Sequence, residues 1–231
     1  MQQDDLITVF DQQAATYDAS WERMTAVRGA LDLLLSVAFT TFPPDARILC
    51  IGAGTGMEMT HLAALHPGWR FTAVEPSAAM LQVCRQRAER EGFAERCTFH
   101  EGFLSSLPLA EPFHGATCLL VSQFVLDPAE RVGLFADIAD RLHPSGRLFS
   151  ADLAAPPDAF DTLLRTWYGL STDTVATDES MKRARAMYAK AVAILPPATV
   201  ADLIAAGGFR EPVQVFQAGL LHAWTADRSA R

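Results

Sequence analysis

The chain has 231 residues, a mass of 25.1 kDa and a formal net charge of −8, from 19 basic and 27 acidic residues. Half of the residues are hydrophobic and a fifth charged, enough to bury a sizeable core and too ordered a composition for disorder or low-complexity arrays over most of the length. Acidity argues against an extended nucleic-acid or anionic-membrane surface, and the best apolar run, 30–39, is short and interrupted by Asp32.

The start, Met1-Gln2-Gln3-Asp4-Asp5, has neither the positive charge nor the apolar stretch of a signal peptide, so a cytoplasmic location is expected. Two helices, about 4–13 and 24–40, precede the first strand. Arg47 to Ile51 is a short apolar run ending in glycines, as a buried parallel strand would. A helix from Met57 to about His66 follows, then a second strand, Arg70 to Glu75, and a second helix with Ser77 as N-cap and Gly92 as C-cap. Cys97 to Glu101 makes a third strand, and Thr117 to Val121 a fourth, apolar enough to be central. Pro128 opens a helix running to Leu142, and Pro144-Ser145-Gly146 turns into a fifth strand, Arg147 to Asp152. Residues 153–195 form a helical stretch too long for an ordinary loop. A helix near 198–206 and two strands, 212–217 and 220–225, close the chain.

Alternating strands and helices predict an α/β fold with a doubly wound parallel sheet, here as a single domain over 1–231. Its parts are an N-terminal helical cap (1–45), a core (46–152), a helical insertion or lid (153–195) and a closing helix and strands (196–231). The insertion is placed over the carboxyl ends of the strands, where such sheets bind ligands. Cys50, Cys84, Cys97 and Cys118 are scattered beside apolar segments and read as small core residues. His61 and His66 miss the i, i+4 spacing of paired ligands, so no metal is expected.

The chemistry concentrates in Gly52-Ala53-Gly54-Thr55-Gly56, where a strand turns sharply into a helix. Glycine there tolerates positive φ and lets a ligand approach the backbone, and the spacing is G-x-G-x-G rather than the dinucleotide G-x-G-x-x-G. Glu75 ends the second strand 19 residues after Gly56, and a carboxylate so placed can accept both hydroxyls of a ribose.

These segments resemble the class I S-adenosylmethionine-dependent methyltransferases of small-molecule type, over about residues 8–152. Ile48–Gly56 is similar to their motif I, Thr72–Ser77 to motif II, Glu101–Pro108 to the segment bordering adenine and Phe113–Val121 to motif IV. Phe10–Asp18 resembles the helix "F-D-x-x-A-x-x-Y-D" that closes over the cofactor, and Leu142–Leu148 the "L-x-P-G-G-x-L" turn into strand five. The resemblance implies a seven-stranded Rossmann-like sheet of order 3-2-1-4-5-7-6. It implies S-adenosyl-L-methionine as cofactor, bordered by Tyr17, Gly52, Gly54, Gly56, Glu75, Pro76, Met80, Gly102, Phe103, Val121 and Ser122. It implies transfer of a methyl group to a small, partly apolar metabolite, mainly by proximity and alignment. Tyr17, Trp21, Gln123, Asp152, Trp167, Tyr168 and Tyr188 are the candidate acceptor residues, and an inward Arg183 or Arg185 would suit an acceptor carboxylate.

Two departures stand out. Cys50 replaces the acid that commonly precedes the first glycine and helps hold the methionine ammonium, with Glu58 or Gln123 as candidates to compensate. Phe103 replaces an acid that would meet the adenine amino group, leaving backbone groups and stacking on Met80 and Phe103. They keep open a protein that modifies the cofactor itself, as carboxy-S-adenosylmethionine synthases do, or a non-catalytic regulator. No catalytic base is assigned, and the partner expected is a small-molecule acceptor, with neither nucleic acid nor membrane. The acceptor, its methylated atom and the choice between monomer and homodimer stay open.

Overall fold

The computed structural model describes residues 3–109 and 111–229. Helices α1 (Gln3–Gln13) and α2 (Thr25–Ala38), joined by a 3₁₀ turn at Ala19–Met24, come first. Then β1 (Arg47–Ile51), α3 (Met57–Leu65), β2 (Arg70–Glu75), α4 (Ala78–Arg90), β3 (Cys97–Glu101) and β4 (Phe113–Leu119) alternate. Next come α5 (Pro128–Arg141) and β5 (Leu142–Leu153). The inserted α6 (Phe160–Ser171) and α7 (Asp178–Ala191) precede α8 (Pro197–Ala206), β6 (Phe209–Ala218) and β7 (Leu221–Arg228).

The seven strands form one sheet of order β3-β2-β1-β4-β5-β7-β6. The first five are parallel neighbours, with Cys50 opposite Ala73 and Thr117, whereas β7 runs antiparallel to β5 and to β6. This is the α/β architecture expected, and β4 lies at its centre. The strand positions differ in detail: β4 begins four residues earlier, at Phe113, and ends at Leu119, so Val121 lies in the turn beyond the strand. β5 reaches back to Leu142 because Phe113 pairs with it across a register shift, a contact that the Pro144 turn hides from the sequence pattern. β6 and β7 extend to Ala218 and Arg228, since their hairpin pairing continues over polar residues.

Side chains on a strand alternate between faces. Ile48 and Cys50 therefore enter a core with Leu35 and Phe39 of α2, Met59 and Leu62 of α3, and Leu81 and Cys84 of α4. Leu49 and Ile51 enter the opposite core with Phe135 and Ile138 of α5, and Val200 and Ile204 of α8. Ser77 and Asp127 cap α4 and α5 with their side chains, Pro128 sits in the first turn of α5, and Thr177 with Ser180 makes a capping box on α7.

Helices α5 and α8 approach closely at Gly207, where a β-carbon would come within 2.3 Å of Phe135 Cβ and 3.0 Å of its carbonyl carbon. Neither atom can swing away, so Gly207→Ala forces the helices apart. We expect a loss of about 1–3 kcal/mol in urea unfolding, the usual cost of overpacking; an unchanged midpoint would contradict the contact.

Candidate functional site

All of the glycines in the turn after β1 have positive φ: 59° at Gly52, 53° at Gly54 and 78° at Gly56. At Gly52 a β-carbon would collide with Val121 Cγ2 at 2.3 Å, and at Gly56 with Cys84 Sγ at 2.6 Å. Gly54 differs: its built β-carbon meets nothing nearer than Gly52 O at 3.9 Å, so the middle of the turn opens onto free space. Across the turn, β4 is followed by Leu120, a non-glycine residue at φ 60°. Such a left-handed residue stores strain of the kind that clusters at ligand sites.

Glu75, 6% exposed, lies beside that opening. Oε2 accepts from Gly54 N at 2.9 Å and Oε1 from Ser77 N at 2.9 Å. Burial raises its pKa, with these two backbone donors opposing. A carboxylate has about four acceptor positions, and the backbone occupies two here. The remaining pair, next to an open glycine turn, suits a vicinal diol. The residues present therefore fit a ribose-bearing ligand.

The N-terminal segment is laid across this end of the sheet by its two aspartates. Asp11 Oδ1 accepts from Ser77 Oγ at 2.6 Å and Ala79 N at 3.2 Å, at the start of α4 where a negative charge is favoured. Asp18 accepts from Thr55 Oγ1 at 2.7 Å and pairs with Arg87, whose Nε donates to Thr55 O at 2.8 Å. Phe10 stands edge-on to Phe124 at 5.6 Å, beyond β4. One short segment thus touches the turns after β1, β2 and β4. The roles of Asp11, Asp18 and Arg87 were missed in the sequence, although both aspartates belong to the segment quoted there.

Half-buried Tyr17 shares its surroundings with Glu58, Glu75 and Arg28, and burial raises its pKa. Met80 is buried in the first turn of α4, Pro76 is half-buried, Gly102 donates its N–H to Glu75 O at 3.0 Å, and Phe103 is 42% exposed. Phe103 thus stands at the solvent side of the β3 end while Met80 faces inward.

Three residues expected at the cleft, Ser122, Gln123 and Asp152, are joined to one another and to Arg131. Arg131 and Asp152 are both 0% exposed and form an ion pair at 3.2 Å. Ser122 Oγ donates to Asp152 Oδ2 at 2.7 Å and accepts from Arg131 Nε at 2.9 Å. Gln123 donates its N–H to Asp152 Oδ1, takes Leu153 N–H on Oε1 and receives Ala193 N–H on its carbonyl. A buried guanidinium must be matched, and it draws in Ser122 and Asp152, while the Gln123 amide ties to the β5 backbone. These contacts engage the side chains of Ser122, expected on the methionine side, and of Gln123 and Asp152, expected on the acceptor side. Arg131 was legible in principle, since it shares the apolar face of Phe135 and Ile138 at spacings of four and seven.

In the insertion, Trp167 Nε1 donates to Tyr188 Oη at 2.8 Å, and Tyr168 Oη shares a hydrogen bond with Thr174 Oγ1. Trp21 meets Trp167 edge-on at 6.3 Å, joining the N-terminal segment to the insertion. Arg185 faces outward to Asp161, and Arg183 is exposed beside Tyr168 and Tyr188. Among the described residues, no group of three or more His, Cys, Asp or Glu could hold a metal ion, and no helix is long and apolar enough to cross a membrane.

Residues 48–146, the turn and both walls of this site, match the family model described as "Methyltransferase domain". Over these residues the chain is similar to a methyltransferase domain. Over 103 residues it is 37% identical to an uncharacterized protein of Synechococcus sp., covering 44% of this chain and 24% of that protein. It is 27% identical over 154 residues to a demethylmenaquinone methyltransferase of Symbiobacterium thermophilum, covering 66% and 60%. The chain thus spans from a quarter to three fifths of these relatives. The methyltransferase fold extends beyond the matched region. A candidate O-methyltransferase from Nostoc punctiforme superposes with a TM-score of 0.71 at 16% identity, over 95% of this chain and 60% of that one. CalO1, a methyltransferase in calicheamicin biosynthesis solved with SAH (S-adenosylhomocysteine) bound, gives 0.63 at 18% identity, over 97% and 61%. The class I resemblance in the sequence is upheld at the level of the fold, and the matched family model agrees with it over residues 48–146.

The buried ion pair beside the turn after β4 has a measurable consequence. Asp152→Ala leaves the Arg131 guanidinium buried without a counter-charge, which should cost about 3–5 kcal/mol in urea unfolding. A loss below about 1 kcal/mol would show that the pair is not what holds these turns.

Proposed function

We propose that this chain transfers a methyl group from S-adenosyl-L-methionine to a small, partly apolar acceptor, and that residues 1–231 act as one catalytic unit. The observation that carries the reading is the buried Glu75 carboxylate beside the open glycine turn, its backbone donors leaving two acceptor positions for a ribose. When bound, the cofactor supplies an activated methyl on a sulfonium. The chain's own work is then to bind, orient and exclude water. Glu75 takes the ribose hydroxyls, Gly52 and Gly54 admit the backbone-hugging part of the ligand, and Met80 with Gly102 borders the base. Tyr17, held by its neighbours Asp11 and Asp18, covers the reacting end. Such alignment in a dry site lowers the barrier without a general base.

The acceptor side is read from the insertion. A cleft of about 410 Å³ lies between α6 and α7, with Trp167, Tyr168, Met187 and Tyr188 as apolar wall and Arg183 at its edge. Its size and lining suit a small aromatic or aliphatic metabolite, and Arg183 would suit a carboxylate on it. Contact between Trp21 and Trp167 links this cleft to the cofactor lid. A larger concavity of about 520 Å³, around Arg147, Arg210 and Asp227, lies toward the amino-terminal end of β5, opposite the end where such sheets bind ligands. The net charge of −8 supports an acceptor other than nucleic acid or a membrane surface.

Glu75→Ala should weaken S-adenosylhomocysteine binding by about 1–3 kcal/mol, roughly 5- to 150-fold, in calorimetric titration. An unchanged affinity would defeat the cofactor assignment. Incubating the wild type with labelled cofactor and a metabolite panel separates an enzyme from a binding module, since a module never releases labelled methyl product.

A further inference from the structure

Trp167 and Tyr188 meet across the groove between α6 and α7, and chemistry fixes the direction of their hydrogen bond. An indole N–H can only donate, so Tyr188 Oη accepts from Trp167 Nε1 at 2.8 Å and keeps its own proton unspent. Among the described residues, no group accepts that proton. Burial pushes the Tyr188 phenol above its ordinary pKa, with Trp167 opposing, so the group stays protonated and remains a donor. Trp167 itself is firmly seated. It is buried, it meets Trp21 edge-on, and the turn between β6 and β7 presses on its backbone. A β-carbon at Gly219 would come within 3.1 Å of Trp167 N and 3.2 Å of its Cα. At the rim of the same cleft, exposed Arg183 has no hydrogen bond or ion pair among the described residues, whereas Arg165 and Arg185 pair with Asp178 and Asp161. Five positions separate Arg183 from Tyr188 on α7, about 7.5 Å along the helix axis. Leu164 and Met187 give the cleft its apolar lining. The Trp167 end faces the lid, because Trp21 lies beside both Trp167 and the Tyr17 hydroxyl.

We propose that Tyr188 determines acceptor specificity by donating its O–H to a ring oxygen of the acceptor while Arg183 takes a carboxylate at the other end, so that the cleft selects hydroxyaryl carboxylic acids. This rests on reading the cleft between α6 and α7 as the acceptor side of a methyltransferase. Each part of such a ligand meets a group that has capacity for it. The aromatic body lies against the apolar lining, and the carboxylate gives Arg183 a bidentate partner. The ring oxygen takes the proton that Trp167 leaves free on Tyr188. An acceptor without that oxygen takes the phenol out of water and returns no hydrogen bond, which is how a site of this kind rejects analogues lacking a polar group.

The test titrates three probes calorimetrically into protein saturated with S-adenosylhomocysteine: 4-hydroxybenzoate, benzoate, which lacks the hydroxyl, and phenol, which lacks the carboxylate. Wild type should bind 4-hydroxybenzoate about tenfold or more tightly than either of the others. Tyr188→Phe should bind 4-hydroxybenzoate no more tightly than benzoate, and should leave benzoate within about threefold of its wild-type affinity. Arg183→Gln should bring 4-hydroxybenzoate down to the affinity of phenol. Both variants should keep wild-type affinity for S-adenosylhomocysteine, since neither side chain belongs to the Glu75 site, and that affinity shows them folded. Wild type that binds the three probes alike, or binds none of them, overturns the proposal. Equal weakening of 4-hydroxybenzoate and benzoate by Tyr188→Phe overturns it as well. Wild type that fails to bind S-adenosylhomocysteine, read before any probe is added, overturns the methyltransferase reading beneath it.

Discussion

A carboxylate taken out of water must be given hydrogen bonds, and at Glu75 the protein gives it backbone ones. Gly54 and Ser77 donate from two different turns, so this side chain fastens the end of β2 to the glycine loop after β1 and to the start of α4. The loop can take that shape because its glycines accept positive φ, and the packing of Val121 and Cys84 leaves no room for side chains at Gly52 and Gly56. Burial, glycine choice and helix start are consequences of one local arrangement. What it leaves over is a short patch of unused acceptors beside an open turn.

Around that patch the molecule is built unevenly. On one side a light cover, α1 and the turn after it, is held by polar contacts through Asp11 and Asp18 and a single aromatic edge at Phe124. Polar contacts near the surface contribute little each, so this cover can open. On the other side the turn after β4 is fixed by the fully buried Arg131, Asp152, Ser122 and Gln123. Ala193, just past α7, is tied to Gln123 and Arg131, which anchors the insertion to the same rigid base. A firm floor with a loosely held lid is what an enclosed site that exchanges ligands requires.

Much of the fold was legible because it follows from periodicity. Ile48–Ile51 could only be a buried strand beside glycines, and Ser77, Asp127–Pro128 and Gly92 mark helix ends by mechanisms that act within a few residues. The Glu75 site was legible for the same reason, since strand end and turn are close in sequence. Contacts between distant segments were not. Nothing near Asp152 reveals that Arg131, 21 residues earlier and on another element, would occupy its carboxylate. Nor does the local sequence of α2 show Arg28 arriving beside Glu58. Charged residues on an apolar helix face are the signal that remains, and Arg131 carries it.

Hydrogen exchange with and without saturating S-adenosylhomocysteine tests the central claim most directly, that the carboxyl ends of β1 and β2 under the N-terminal segment are the cofactor site. The account predicts slowed exchange in residues 8–18, 52–58 and 75–81, with the strands β6 and β7 unchanged. Protection confined to other segments, or none at all at saturating ligand, would contradict it.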